Sequence, residues 1–170
     1  MNKPQPDEHA EYYGKYISLV DGDVMPMLES QSSNLRSMFA SLPEEKGTYA
    51  YAAGKWTLKE VLSHLIDGER HFAYRLLRIS RGDKTPIEGF EQDNYIENSN
   101  ANNRPFTDLL DEFDLQRRSN LLLVRNLSDE ATRRLGTASG YTVSVRALVY
   151  MMAGHVAHHE KILKESYFSQ

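Results

Sequence analysis

The chain has no cysteine. That absence excludes a disulfide framework and any thiolate metal site, so whatever chemistry the protein carries must come from histidine and carboxylate. It also fits a reducing compartment, and a cytoplasmic location is expected on that ground. An excess of basic charge is missing too: 20 Lys and Arg stand against 24 Asp and Glu, a formal net charge of -4, and the cations are scattered along the chain. Such a distribution lacks the electrostatic footprint of a nucleic-acid binder. Long hydrophobic runs are absent as well. No apolar stretch approaches the ~18 residues of a membrane span, and the opening MNKPQPDEHAEYYGKY holds no apolar segment that could act as a signal peptide. Neither nucleic acid nor a membrane is expected as a partner. Repeats, low-complexity tracts and sustained heptads are likewise lacking.

What is present fits one domain. A chain of 170 residues can bury a core without covalent staples, so 1–170 is expected to be a single unit, with 1–22 as an N-terminal arm laid on its surface. From Val24 to Leu42, apolar Leu28, Leu35, Met38, Phe39 and Leu42 recur at helical spacing, and Pro43 marks the stop. Thr57, followed three residues later by Glu60, forms a capping-box pattern that opens a second helix running to about Ser80. The stretch from Arg81 to Pro105, rich in Gly, Pro and Asn, is too long for a connection between antiparallel neighbours, and it can hold a short helix around DNYIEN. Its length lets the second and third helices run parallel. Helix three is expected from Thr107 to about Leu127. A polar connector with Ser128, Asp129, Gly136 and Gly140 follows, and helix four starts near Thr142 and runs almost to the end, weakened only by Gly154. The expected fold class is therefore all-α, a four-helix bundle with a long crossover between helices two and three.

On helix four, Leu148, Met152, His155, His159 and Ile162 alternate spacings of four and three and so share one face. Two histidines interrupt a core stripe. Residues four apart sit one turn, about 6 Å, from each other, so both imidazoles can converge on one ion. The blander reading, core histidines satisfied by ordinary hydrogen bonds, fits the spacing equally well. His158 projects about 80 to 120 degrees off that face and reads as a flank residue. A third ligand is expected from His64 on the shoulder of helix two; His71 competes from the same shoulder, with Gly68 leaving the surface bare between them. His9 lies on the arm.

KWTLKEVLSHLIDGERHFAYRLLR, DNYIENSNANNRPFTDLLDEFDLQRRSNLLLVRNL and SGYTVSVRALVYMMAGHVAHHEKIL together resemble the DinB/YfiT superfamily of four-helix bundles, over most of the chain. The resemblance implies parallel second and third helices after a crossover. It also implies a divalent metal, zinc or nickel, held by His64, His155 and His159.

Three neutral imidazoles leave a coordination position open, as in catalytic rather than closed structural zinc. Such an ion can activate water for hydrolysis or hold a small thiol as its thiolate. The resemblance implies low-molecular-weight thiols such as bacillithiol or mycothiol, so thiol transfer to a small-molecule electrophile ranks first and hydrolysis second. Binding of a metal or small ligand without turnover is a third reading. Asp67 and Glu69 are candidates to orient an imidazole or accept a proton, or else are solvated helix charges, as Glu160 is expected to be. Arg75 and Arg146 suit a substrate carboxylate but read more simply as surface ion-pair partners. Trp56 reads as a hydrophobic anchor for the start of helix two, or as the roof of a pocket. A homodimer is expected, although no separable interface stripe stands out.

Overall fold

The computed structural model describes residues 1–169. In chain order the helices are α1 (Gly14–Ile17), α2 (Val24–Phe39), α3 (Leu58–Ser80), α4 (Gln92–Glu97), α5 (Phe106–Arg125), α6 (Asp129–Thr132) and α7 (Val145–Ile162). The long ones, α2, α3, α5 and α7, make the bundle, and one π-helical turn, Leu163–Tyr167, extends α7. Local chemistry sets their ends. Thr57 Oγ1 accepts from the Glu60 amide at 3.2 Å while Glu60 Oε2 accepts from the Thr57 amide at 2.8 Å, the reciprocal box expected at the start of α3. For α5 the cap comes from a distance: the Glu44 carboxylate accepts the Phe106 amide at 2.5 Å.

Side-chain pairs reveal the helix directions. Between the α3 and α5 regions, Thr57–Asn102, Arg70–Glu112 and Glu69–Asn120 keep separations of 45, 42 and 51 residues, so the two helices climb together. Across α3 and α7, Trp56 meets Tyr167 and His64 meets His155, so the numbers run in opposite senses. α2 is antiparallel to α5, through Glu29–Arg125 and Phe39–Phe106, and parallel to α7, through Gly22–Tyr150 and Gln31–Ala153. The crossover between the parallel pair α3 and α5 is the 81–105 segment, pinned by Asn102, whose Nδ2 donates to Glu60 Oε1 at 2.9 Å.

The apolar core divides into two clusters. One gathers Leu28, Phe72, Leu76, Leu121 and Leu148; the other gathers Leu35, Leu62, Leu65, Phe113 and Val156. Between them lies a polar layer reaching all of the long helices. The guanidinium of Arg117 on α5 donates bidentately to Glu69 on α3, at 2.8 and 2.9 Å. Its Nη1 donates to Leu28 O at 3.1 Å and Gln31 Oε1 at 2.6 Å on α2. Gln31 Nε2 then donates to Ala153 O on α7 at 2.7 Å. Both ionic groups are 1 % exposed, and every partner they need is supplied from within.

Several expectations are corrected. The connector after helix three is not structureless: it contains α6 and a hairpin, β1 (Leu135–Ala138) and β2 (Tyr141–Ser144), with Ala138 paired to Tyr141. Thr142 therefore lies in a strand, and α7 starts at Val145, where Ser144 Oγ caps the Ala147 amide at 3.0 Å. α2 stops at Phe39 rather than Leu42, because the Leu42 amide turns back to Phe39 O at 3.1 Å in a tighter closing turn. The N-terminal arm is inlaid rather than laid on the surface: Ile17 and Val20 are buried in the first core cluster. Glu8 on the arm takes an ion pair from Arg146 and a hydrogen bond from Ser144 Oγ at 2.7 Å.

Candidate metal centre

α3 brings His64, and the antiparallel α7 brings His155 and His159, to one point. Ring centroids are 4.8 Å apart in each of the three pairs. One nitrogen from each residue lies within 4.8 Å of the others, and His64 Nε2 is 2.9 Å from His155 Nε2. All three are buried, at 4 %, 6 % and 8 % exposure. Burial, helped by the neighbouring imidazole of His158, pushes the His64 pKa down to about 4. His155 and His159 lie well below the ordinary imidazole range, again chiefly through burial and then through the neighbouring rings. The cluster is therefore uncharged at neutral pH, and each neutral ring carries one nitrogen lone pair of the kind that binds a cation.

These residues fit a divalent ion. Among the described residues the three imidazoles make no hydrogen bond to a carbonyl or carboxylate; their one polar contact is the 2.9 Å approach of His64 to His155. Aromatic edges surround them instead. Trp56 lies 4.6 Å from His64, Phe72 and Tyr16 each lie 5.6 Å from His155, and Tyr16 lies 5.3 Å from His158. Three buried neutral nitrogen donors without an ordinary partner are the donor set that zinc or nickel accepts. Gly68 leaves the room: a Cβ there would lie 2.8 Å from His155 Cε1.

A cavity of about 610 Å³ opens on His64 and His155, walled by Tyr12, Tyr13, Tyr16, Phe72 and Arg75 among others. That volume falls within the range of small-molecule sites. His71 stands in the same wall, stacked on Phe90 at 3.7 Å, and does not join the cluster. His158 flanks it, and His9 Nδ1 stays on the arm, 2.9 Å from Ala10 O.

The carboxylates depart from expectation. Asp67 is not brought to the imidazoles: it lines a separate cavity and pairs with Arg70 at 3.9 Å, because its position turns it toward α5. Burial raises its pKa, with Arg70 opposing. Glu69 neither orients a histidine nor meets solvent, since Arg117 holds it in the buried layer. Glu160 is not a solvated charge either: its Oε1 is buried without a hydrogen-bond partner, and burial raises its pKa. Arg75 is 3 % exposed and forms part of the cavity wall rather than a surface ion pair. A periodicity signal for it existed, because His64, Gly68, His71, Phe72 and Arg75 repeat at helical spacing on α3. Tyr16 had no such signal, for it arrives on the arm.

Two solved structures share this architecture. YfiT from Bacillus subtilis, described as a probable metal-dependent hydrolase with an unusual four-helix bundle topology, matches with a TM-score of 0.77 and 17 % identity, over 96 % of this chain and 90 % of that one. The mycothiol-dependent maleylpyruvate isomerase matches with a TM-score of 0.66 and 15 % identity, over 80 % of this chain and 57 % of that one. No curated protein sequence matches the chain. The sequence pattern of the DinB superfamily matches residues 27–163, a span that takes in α3, α5, α7 and all three clustered histidines, and the chain belongs to that superfamily.

Proposed function

We propose that this protein is a divalent-metal-dependent enzyme whose ion is held by His64, His155 and His159, and that it transfers a low-molecular-weight thiol to a small electrophile. One observation carries the reading: three buried, neutral imidazoles converge, and two of them, His64 and His155, stand in the wall of a cavity of about 610 Å³ that is large enough for small reactants. A bound zinc or nickel ion would supply Lewis acidity at an open coordination position. The chain's own residues do the rest. Trp56, Tyr16 and Phe72 exclude water from the imidazoles, and the arm residues Tyr12 and Tyr13 wall the opening across which substrate must enter. Likeness to the mycothiol-dependent isomerase supports the thiol reading, and likeness to YfiT supports hydrolysis as the second reading.

Metal analysis of protein purified without a nickel column tests the centre: about one ion per chain is expected, and much less in His64→Ala. Activity is then measured with a small thiol plus a halogenated electrophile, and separately with simple esters, before and after chelation. Thiol consumption that stops on chelation is expected. Turnover of esters alone would move the assignment to hydrolysis, and a metal-free wild type would end both.

A further inference from the structure

The cavity in front of the histidines contains a cation with no counter-charge. Arg75 is 3 % exposed. Its Nη2 donates to Glu88 O at 3.1 Å and to Ser139 Oγ at 2.8 Å. Its Nε is buried without a partner, and among the described residues no carboxylate pairs with the guanidinium. Both anchors leave the Nε–H and the Nη1 donors unused. A buried guanidinium in that condition pays a desolvation cost that an incoming anion offsets.

The anchor itself is built at a conformational cost. Ser139 and Gly140 form the two-residue turn between β1 and β2, both with positive φ, 52° and 80°. The first position of such a turn favours Asn, Asp or Gly over serine. Here the serine amide bonds Ile87 O at 2.9 Å, joining the hairpin to the crossover, and the hydroxyl fixes Arg75. Much of the remaining wall is aromatic. His71 and Phe90 stack 3.7 Å apart at an interplanar angle of 4°, Tyr95 closes on Phe90 at 5.1 Å, and Tyr12 and Tyr13 face them from the arm. Of the other charged groups lining the space, Lys15 and Glu91 offset each other, so the fixed charge is that of Arg75.

We propose that Arg75, held by Ser139, binds the carboxylate of a small substrate whose flat apolar body lies against the aromatic walls, so that the substrate is an organic acid presented to the histidine cluster. That the acid is a substrate rests on the metal-centre reading; that it binds does not. A monoanion matches the single uncompensated cation, and with Nη2 engaged by Glu88 O and Ser139 Oγ, a carboxylate oxygen accepts a charge-assisted hydrogen bond from the Nη1 side of the guanidinium.

Calorimetric titration with benzoate and with benzamide tests this on the full chain, first in chelator and then with zinc. In chelator, benzoate is expected to bind wild type and His64→Ala alike, with benzamide weaker by about tenfold or more. Arg75→Met should lose that preference, Arg75→Lys should keep part of it, and Ser139→Gly, which suits the turn better, should weaken benzoate several-fold without lowering Tm. If Arg75→Met does not fold, Ser139→Gly decides. Equal binding of the two ligands by wild type, or unchanged benzoate affinity in folded Arg75→Met or in Ser139→Gly, overturns the assignment. Benzoate binding that needs zinc and vanishes in His64→Ala also overturns it, by placing the anion on the ion, while the metal reading stands. Benzoate binding by a wild type that takes up no zinc in the second titration and holds no metal as purified supports the anion site and removes the metal reading alone.

Discussion

Gly154 and the backbone of Tyr16 touch so closely that a Cβ on Gly154 would lie 2.0 Å from the Tyr16 carbonyl oxygen. The contact is what lets α1 press onto α7 and carry Tyr16 to the edge of His155. Glycine in a helix interior costs about 1 kcal/mol relative to alanine, and here the docked arm compensates. Gly154→Ala should therefore destabilise the protein, by about 1–3 kcal/mol in urea denaturation, because a carbonyl cannot rotate away as a side chain can. Faster tryptic cleavage at exposed Lys15 should accompany it. A variant more stable than wild type with an unchanged cleavage rate would refute the docking.

The buried pair Arg117–Glu69 should behave as a unit. Glu69→Leu or Arg117→Met alone should cost about 3–5 kcal/mol, since each leaves an uncompensated charge in the core. The double variant should recover part of that loss, though not all, because Gln31 Oε1 would lose the Arg117 donor it now accepts from. Urea denaturation of the four proteins of the cycle gives the coupling; additive losses would show that the pair is not acting as drawn.

Gly68 gives a test of the metal centre that leaves every ligand in place. Its Cβ would meet His155 Cε1 at 2.8 Å, so Gly68→Ala should turn the imidazole and weaken zinc binding by about tenfold or more, the scale seen when residues supporting metal ligands are changed. Zinc should raise the Tm of chelator-treated wild type through selective binding to the folded state, with a smaller rise for Gly68→Ala and none for His155→Ala. An equal rise in all three would place the zinc elsewhere.

Docking of the arm should depend on pH through Glu8. The hydrogen bond from Arg146 is the largest influence on Glu8 and holds its carboxyl below the ordinary value of 4.5, against the opposing effect of burial. A carboxyl depressed in the folded state contributes stability that is fully present above the unfolded pKa and is lost as pH falls through the folded one. The stability difference between wild type and Glu8→Gln should thus be constant well above the ordinary carboxyl value of 4.5 and shrink as pH falls below it. Urea midpoints across that range measure it; a gap that widens on acidification would reverse the sign.

Much of the bundle was legible because helices announce themselves locally. The period of Leu58, Val61, Leu62 and Leu65, with the Thr57–Glu60 box before it, specifies α3 from residues within a turn of one another. The crossover was legible from length alone, since 81–105 is longer than antiparallel neighbours need. The hairpin was not: Leu135–Ala138 and Tyr141–Ser144 are four-residue strands too short to show alternation, and Ser139–Gly140 is not the Asn-Gly turn that betrays a hairpin.

Among the site residues, the four-residue step between His155 and His159 is a property of one helix, and it follows from the sequence by the geometry of 3.6 residues per turn. The sequence likewise determined that no thiolate donor is available, since the chain has no cysteine. What the tertiary structure alone decided is which distant groups meet beyond that: Glu69 with Arg117 instead of solvent, Asp67 turned away, and Arg75 buried against Ser139. The reason is physical. A side chain's direction along its own helix repeats with a fixed period, whereas its burial and partners depend on the rotation and register of neighbouring helices, which are set by packing summed over the whole core.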